Sequence, residues 1–201
     1  MTTTVVSTAS LAAEALRVNA RYVEEVVIGW NLCPWAARAW HDGQVVRRVF
    51  DAPAPVAATD DVVAFAGELA ANPDAAIGLA IFPCVGAGVT VGAWESFAER
   101  VRRGVRGFLL AAFHPDYGDA GNAAVDPARL VAFIRRTPDP TLQLVRASLI
   151  DALARDGRDL SADIARDNHA TVTTRGPAAL DALLADIRRD RDAAYARLAG
   201  G

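Results

Sequence analysis

The stretch "DPTLQLVRASLIDALARD", residues 139–156, decides how much of this chain belongs to a sheet. Asp139 followed by Pro140 has the form of a helix N-cap with proline at the first helical position, so the spacing predicts a helix opening there. With that stretch helical, three strand candidates remain. "QVVRRVF" (44–50) is β-branched around an arginine pair expected to face solvent. "AAIGLAIFP" (75–83) has the continuous apolar character of a buried strand ended by Pro83, and "GFLLAAFHP" (107–115) is a second apolar run closed by proline.

Helical spacing fills the gaps between them. Leu11, Ala15, Val18, Tyr22 and Val26 recur along a helix from Ser7 to about Val27, stopped at Gly29. Thr59 or Asp60 caps a helix to about Ala71, and another runs from Trp94 to Arg103. Asp126-Pro127 starts a short helix, and two more follow the 139–156 stretch, at Ser161–Asn168 and from Pro177 onward. Alternating strand and helix is the signature of βαβ units. The expected fold is α/β: a small, mostly parallel sheet of about three strands, an N-terminal helix and a helical C-terminal third. One domain spans residues 1–201, with 1–6 as a loose tail.

Composition narrows the chemistry. All 21 basic residues are arginine, which excludes a lysine Schiff base and the lysine of a Walker A phosphate loop. A net charge of −3 gives no footprint for nucleic acid. Cys33 and Cys84 are too few for a disulfide framework, and no CxxC pair suggests structural zinc. No signal peptide or membrane span is legible, so the expected location is the cytoplasm. Gly86, Gly88 and Gly92 miss the dinucleotide spacing, and no cofactor is named by any motif.

Three constellations carry possible chemistry. "FHPDYGDAGN" (113–122) gathers His114, Asp116, Tyr117, Asp119 and Asn122 beyond a strand end, where open α/β sheets bind ligands. Imidazole beside carboxylate suits general acid–base work. "VIGWNLCPWA" (27–36) places Cys33 at the N-cap of a short helix begun by Pro34, a position that favours thiolate. Free cysteine is more often buried and inert, and on spacing alone packing is the favoured reading. Arg135, Arg136 and Arg146 flank the Asp139-Pro140 turn and suit a carboxylate or phosphate, or simply pair with Asp139.

At these residues the chain resembles a bacterial family called domain of unknown function 1415. The matching stretches are "IGWNLCPWA" (28–36), "FHPDY" (113–117) and the pattern through Arg136, Pro138, Pro140, Thr141, Leu142, Leu144 and Arg146. The resemblance runs from about Arg21 to the last helix and implies no reaction. It raises Cys33, His114, Asp116, Tyr117, Arg136 and Arg146 above residues chosen by spacing. Relatives typically read Asn-Arg-Ser-Pro where this chain has Arg135 to Pro138. They carry histidine at the places of Gln143 and Phe82, so a metal held by those histidines would lose ligands here.

The candidate site takes Cys33, His114, Asp116 and Tyr117 as catalytic. Asn31, Trp35, Asn122, Arg136, Thr141 and Arg146 are its substrate-binding residues. The first reading is a small-molecule enzyme for group transfer or hydrolysis on an anionic substrate, with Cys33 as nucleophile and His114 as base. The second is a non-catalytic binding module for an anionic small molecule. A third is a metal site of Cys33, His114 and Asp116, and a fourth is a purely structural subunit. Monomer and homodimer are equally compatible with the sequence.

Overall fold

In the computed structural model, which describes residues 8–85, 89–118, 127–153 and 160–200, Thr141–Arg146 is a strand and not the opening of a helix. The sheet has four strands: β1 (Val45–Val49), β2 (Ile77–Ile81), β3 (Phe108–Phe113) and β4 (Thr141–Arg146). Their order is β1-β2-β4-β3. β1 and β2 are parallel, while β4 runs antiparallel to both β2 and β3. The sheet is therefore mixed, with four strands instead of about three and without mostly parallel pairing.

The physical reason is a slot. β2 and β3 each present a row of backbone donors and acceptors toward the other, and β4 satisfies both rows at once. Phe82 N–H continues the ladder to the Pro140 carbonyl at 3.0 Å. Side chains in β4 alternate: Leu142 and Leu144 are buried on one face, and Thr141, Gln143 and Val145 point to the other. The short apolar run suited either period, and the slot chose the strand.

Helices cover both faces. They are α1 (Thr8–Tyr22), α2 (Ala36–His41), α3 (Thr59–Ala71), α4 (Val91–Gly104), α5 (Pro127–Ile134), α6 (Ala147–Leu153), α7 (Leu160–Arg175) and α8 (Pro177–Gly200). Against one sheet face, α3 and α4 bury an aromatic core in which Phe82 stacks on Phe50 at 5.2 Å and meets Trp94 edge-on. The other face packs on α1, α5 and α8 through Val18, Phe133, Leu180 and Ile187. Arg17 and Arg21 on α1 pair with Asp190 and Asp186 on α8, tying the two long helices together. No helix among the described residues is long and apolar enough to cross a membrane.

Several local expectations change. The first helix widens after Tyr22 into a π-helical segment, Val23–Ile28, with Gly29 N–H bonded to Glu24 O and Leu32 N–H to Val27 O. A Cβ at Gly29 would overlap the Glu25 carbonyl oxygen, so the wide turn requires glycine. Thr59 begins α3 without capping it, because its hydroxyl donates back to Val56 O. The arginine pair of β1 is half-buried: Arg47 reaches Leu16 O and the Trp40 ring, while Arg48 binds Glu68 over Phe65.

Candidate functional site

A cavity of about 710 Å³ lies on the second sheet face, beneath α1, α2, α5, α6 and α7. That volume falls within the range of small-molecule sites. Its wall follows from strand alternation: Ile77 and Leu79 of β2, Thr141, Gln143 and Val145 of β4, and Phe113 of β3 all face it. The π-helical turn supplies Val23 and Val27, and it carries the chain onward to Cys33 and Trp35, which also line the cavity. π-helical turns inside helices are frequent at functional sites.

The Tyr22, Thr137 and Thr141 hydroxyls on this cavity are spent on backbone carbonyls, whereas some of its carboxamides are not. Asn19 of α1 is 2 % exposed, and its Oδ1 has no hydrogen-bond partner. Asn168 of α7 is 5 % exposed, and neither it nor Gln143 pairs its carboxamide with a described residue. Leaving such a group buried and unpaired costs about 1–3 kcal/mol. Arg135 follows the last turn of α5, with its guanidinium 6.0 Å from the Phe113 ring centre. Among the described residues it has no ion pair. It stands between this cavity and a second groove of about 680 Å³, lined by Glu95, Arg102 and Tyr117. No Asp, Glu or His is among the described residues lining the larger cavity.

Cys33 is half-buried on the cavity wall. The short helix begins at Ala36 with Trp35 as its N-cap, two residues later than the Cys33 cap expected from the sequence. The reason is a tight turn in which Ala36 N–H donates to Cys33 O at 3.1 Å. Burial pushes the Cys33 thiol up, against the backbone N–H groups of Trp35 and Ala36, which favour the thiolate. Its resting form is the thiol. Cys84 donates to Asp51 at 2.9 Å, and burial with Asp51 pushes its thiol up to about 12.

His114 does not join Cys33. It packs beside Trp94 and Tyr117 in the aromatic core on the opposite sheet face. Its Nδ1 accepts the Asp116 backbone N–H at 3.2 Å, and Nε2 lies 3.1 Å from Val89 O. Since an amide can only donate and a carbonyl only accept, the ring is the neutral Nε2–H tautomer. Burial holds its pKa below the ordinary histidine value. The Asp116 carboxylate turns outward to Arg188 at 2.9 Å, and Tyr117 donates to Glu95 at 3.2 Å, its phenol pushed up to about 12 by burial and Glu95. Both imidazole nitrogens are spent on joining two loops.

The expected binding residues divide. Trp35 and Thr141 line the cavity with Cys33, although the Thr141 hydroxyl is spent on Asp139 O. Arg136 pairs with Asp181 at 2.6 Å and lies over Phe133. Arg146 ends β4 instead of sitting in a helix. It donates to the carbonyls of Leu69, Asn72 and Ala75, closing the end of α3, and stacks over Phe108. Asn31 is an exposed turn residue with φ of 51°, a conformation asparagine tolerates. Asn122 and Asp119 lie outside the described residues. Asp139 caps no helix: 1 % exposed, it accepts from Arg191 at 2.8 Å and Tyr195 at 2.7 Å, both on α8. No group of three His, Cys, Asp or Glu among the described residues has the geometry to hold a metal ion.

Asn19 and Asn168 escaped the sequence reading. Asn19 carried a signal, since it interrupts the apolar stripe of α1 beside Val18, and asparagine is a poor helix former. Nothing local marks Asn168.

Fold and site together define a mixed α/β protein with a ligand-sized, largely apolar cavity on one sheet face. The chain matches, over residues 14–182, the model of the family described as "Protein of unknown function (DUF1415)", and it belongs to that family. No curated protein and no solved structure matches it.

Proposed function

We propose that the protein is a non-catalytic binding module for an anionic small molecule with a substantial apolar body, taken into the cavity beside Cys33. The observation that carries this reading is Arg135: a guanidinium without an ion pair among the described residues, on a cavity whose described lining holds no acid. The other arginine there, Arg38, is highly exposed and reaches Asp42. Apolar walls with few polar groups are the usual build of such sites. The enzyme reading loses support because the described cavity lining offers Cys33 no base, and burial keeps it a thiol.

The test is titration with anilinonaphthalene sulfonate, an aromatic anion whose fluorescence rises on leaving water. Native protein binds it stoichiometrically, Arg135→Ala weakens binding about 10- to 100-fold, the equivalent of one charge-assisted hydrogen bond, and Cys33→Ser binds normally. Equal affinity in Arg135→Ala would overturn the reading.

A further inference from the structure

Three of the four carboxamides that line the cavity, Gln44 being the fourth, say more about the occupant than its charge does. Asn19, Gln143 and Asn168 come from α1, β4 and α7, so they approach one cavity from three different elements. Asn19 and Asn168 are more than nine-tenths buried, Asn19 Oδ1 has no hydrogen-bond partner, and Gln143 is half-buried on the cavity wall. Each carboxamide offers a donor beside an acceptor. That pair complements a group presenting an acceptor beside a donor, as the lactam and amidine edges of nitrogen heterocycles do.

Resting on the cavity reading above, we infer that the ligand is a planar nitrogen heterocycle with lactam or amidine edges, carrying a carboxylate or phosphate that Arg135 binds. Tyr22, Trp35 and Phe113 give the wall flat aromatic surfaces suited to such a ring. A fatty acid satisfies Arg135 and the aliphatic wall but offers the carboxamides of Asn19, Gln143 and Asn168 no partner. A sugar phosphate reverses the mismatch, because its hydroxyls would lose water against Val23, Ile77, Leu79 and Val145 with too few partners in return. The volume of about 710 Å³ accommodates a fused ring with its acidic substituent and exceeds what a bare anion requires.

The experiment uses calorimetric competition on the full chain. Flavin mononucleotide, folate and adenosine monophosphate are each tested for displacement of anilinonaphthalene sulfonate, beside dodecanoate and glucose phosphate. At least one heterocycle displaces it about tenfold more tightly than either comparison compound, and Asn19→Ala or Gln143→Ala lowers the ratio of heterocycle to sulfonate affinity about tenfold. Thermal melting of each variant confirms that it is folded. Should dodecanoate or glucose phosphate compete as well as every heterocycle, or the ratio stay unchanged in both variants, the inference falls and the cavity reading stands. If neither the sulfonate nor any heterocycle binds the native protein, the cavity reading falls with it.

Discussion

Cys33 and His114 lie on opposite faces of the four-stranded sheet, Cys33 on the wall of the cavity and His114 in the aromatic core beside Trp94. The two groups best suited to nucleophilic catalysis in this sequence therefore do not meet. Cys33 closes the turn into α2, and His114 joins the loop at Val89 to the turn at Asp116.

His114 makes a stability prediction with a definite sign. Burial lowers its folded pKa, so below about pH 6.5 the unfolded chain takes up a proton that the native state refuses. The stability His114 contributes is complete above that pH and is lost as pH falls beneath it. His114→Ala costs about 1–3 kcal/mol at pH 8, through the unpaired Val89 carbonyl and Asp116 amide. In urea melts the deficit shrinks as pH is lowered from 6.5 toward 5.

The cysteines should be slow. Alkylation by iodoacetamide, followed by mass spectrometry, proceeds at Cys33 more slowly than at a free thiol near pH 8.5. Cys84, pushed up to about 12, reacts more slowly than a free thiol through pH 9. A fast Cys33 rate at pH 7 would contradict the resting thiol and restore the nucleophile reading.

Arg146 serves the fold. Arg146→Ala removes donors from the carbonyls of Leu69, Asn72 and Ala75 and costs about 2–3 kcal/mol in urea unfolding. Its affinity for anilinonaphthalene sulfonate, measured on the folded fraction, stays within about twofold, since a change of 0.4 kcal/mol is already about that factor.

Asn19 trades stability for binding. Asn19→Leu replaces a buried, unpaired carboxamide with an apolar side chain of similar size and raises stability by about 1 kcal/mol. The same variant binds flavin mononucleotide, folate or adenosine monophosphate more weakly than the native chain. A stabilised variant that binds at least as well would mean the carboxamide has no ligand-directed role.

Much of the fold is legible in local patterns. The buried run 75–83 contains β2, the proline-closed run 107–115 contains β3, and the periodic apolar positions of α1 and α8 face inward. Residues 139–156 misled because Asp139-Pro140 is equally good grammar before a helix and before a strand. Pro140 holds Asp139 out of the helical region in either case. The candidate site was less legible. Trp35, Cys33 and Thr141 share the cavity, but Arg136 and Arg146 are consumed by Asp181 and by carbonyls far away in sequence.

By itself the sequence determined the α/β class, most of the strands and helices, the DUF1415 resemblance and the absence of lysine chemistry. These are properties of composition, periodicity and order, carried by residues near one another along the chain. Only the tertiary structure decided that 141–146 is a strand, because the deciding term was the unpaired backbone of β2 and β3, which no local window contains. It also decided which polar groups remain free. Whether an arginine or a carboxamide is available depends on whether some distant carboxylate or carbonyl has already claimed it, as Asp181 claims Arg136 while Arg135 has no carboxylate partner among the described residues.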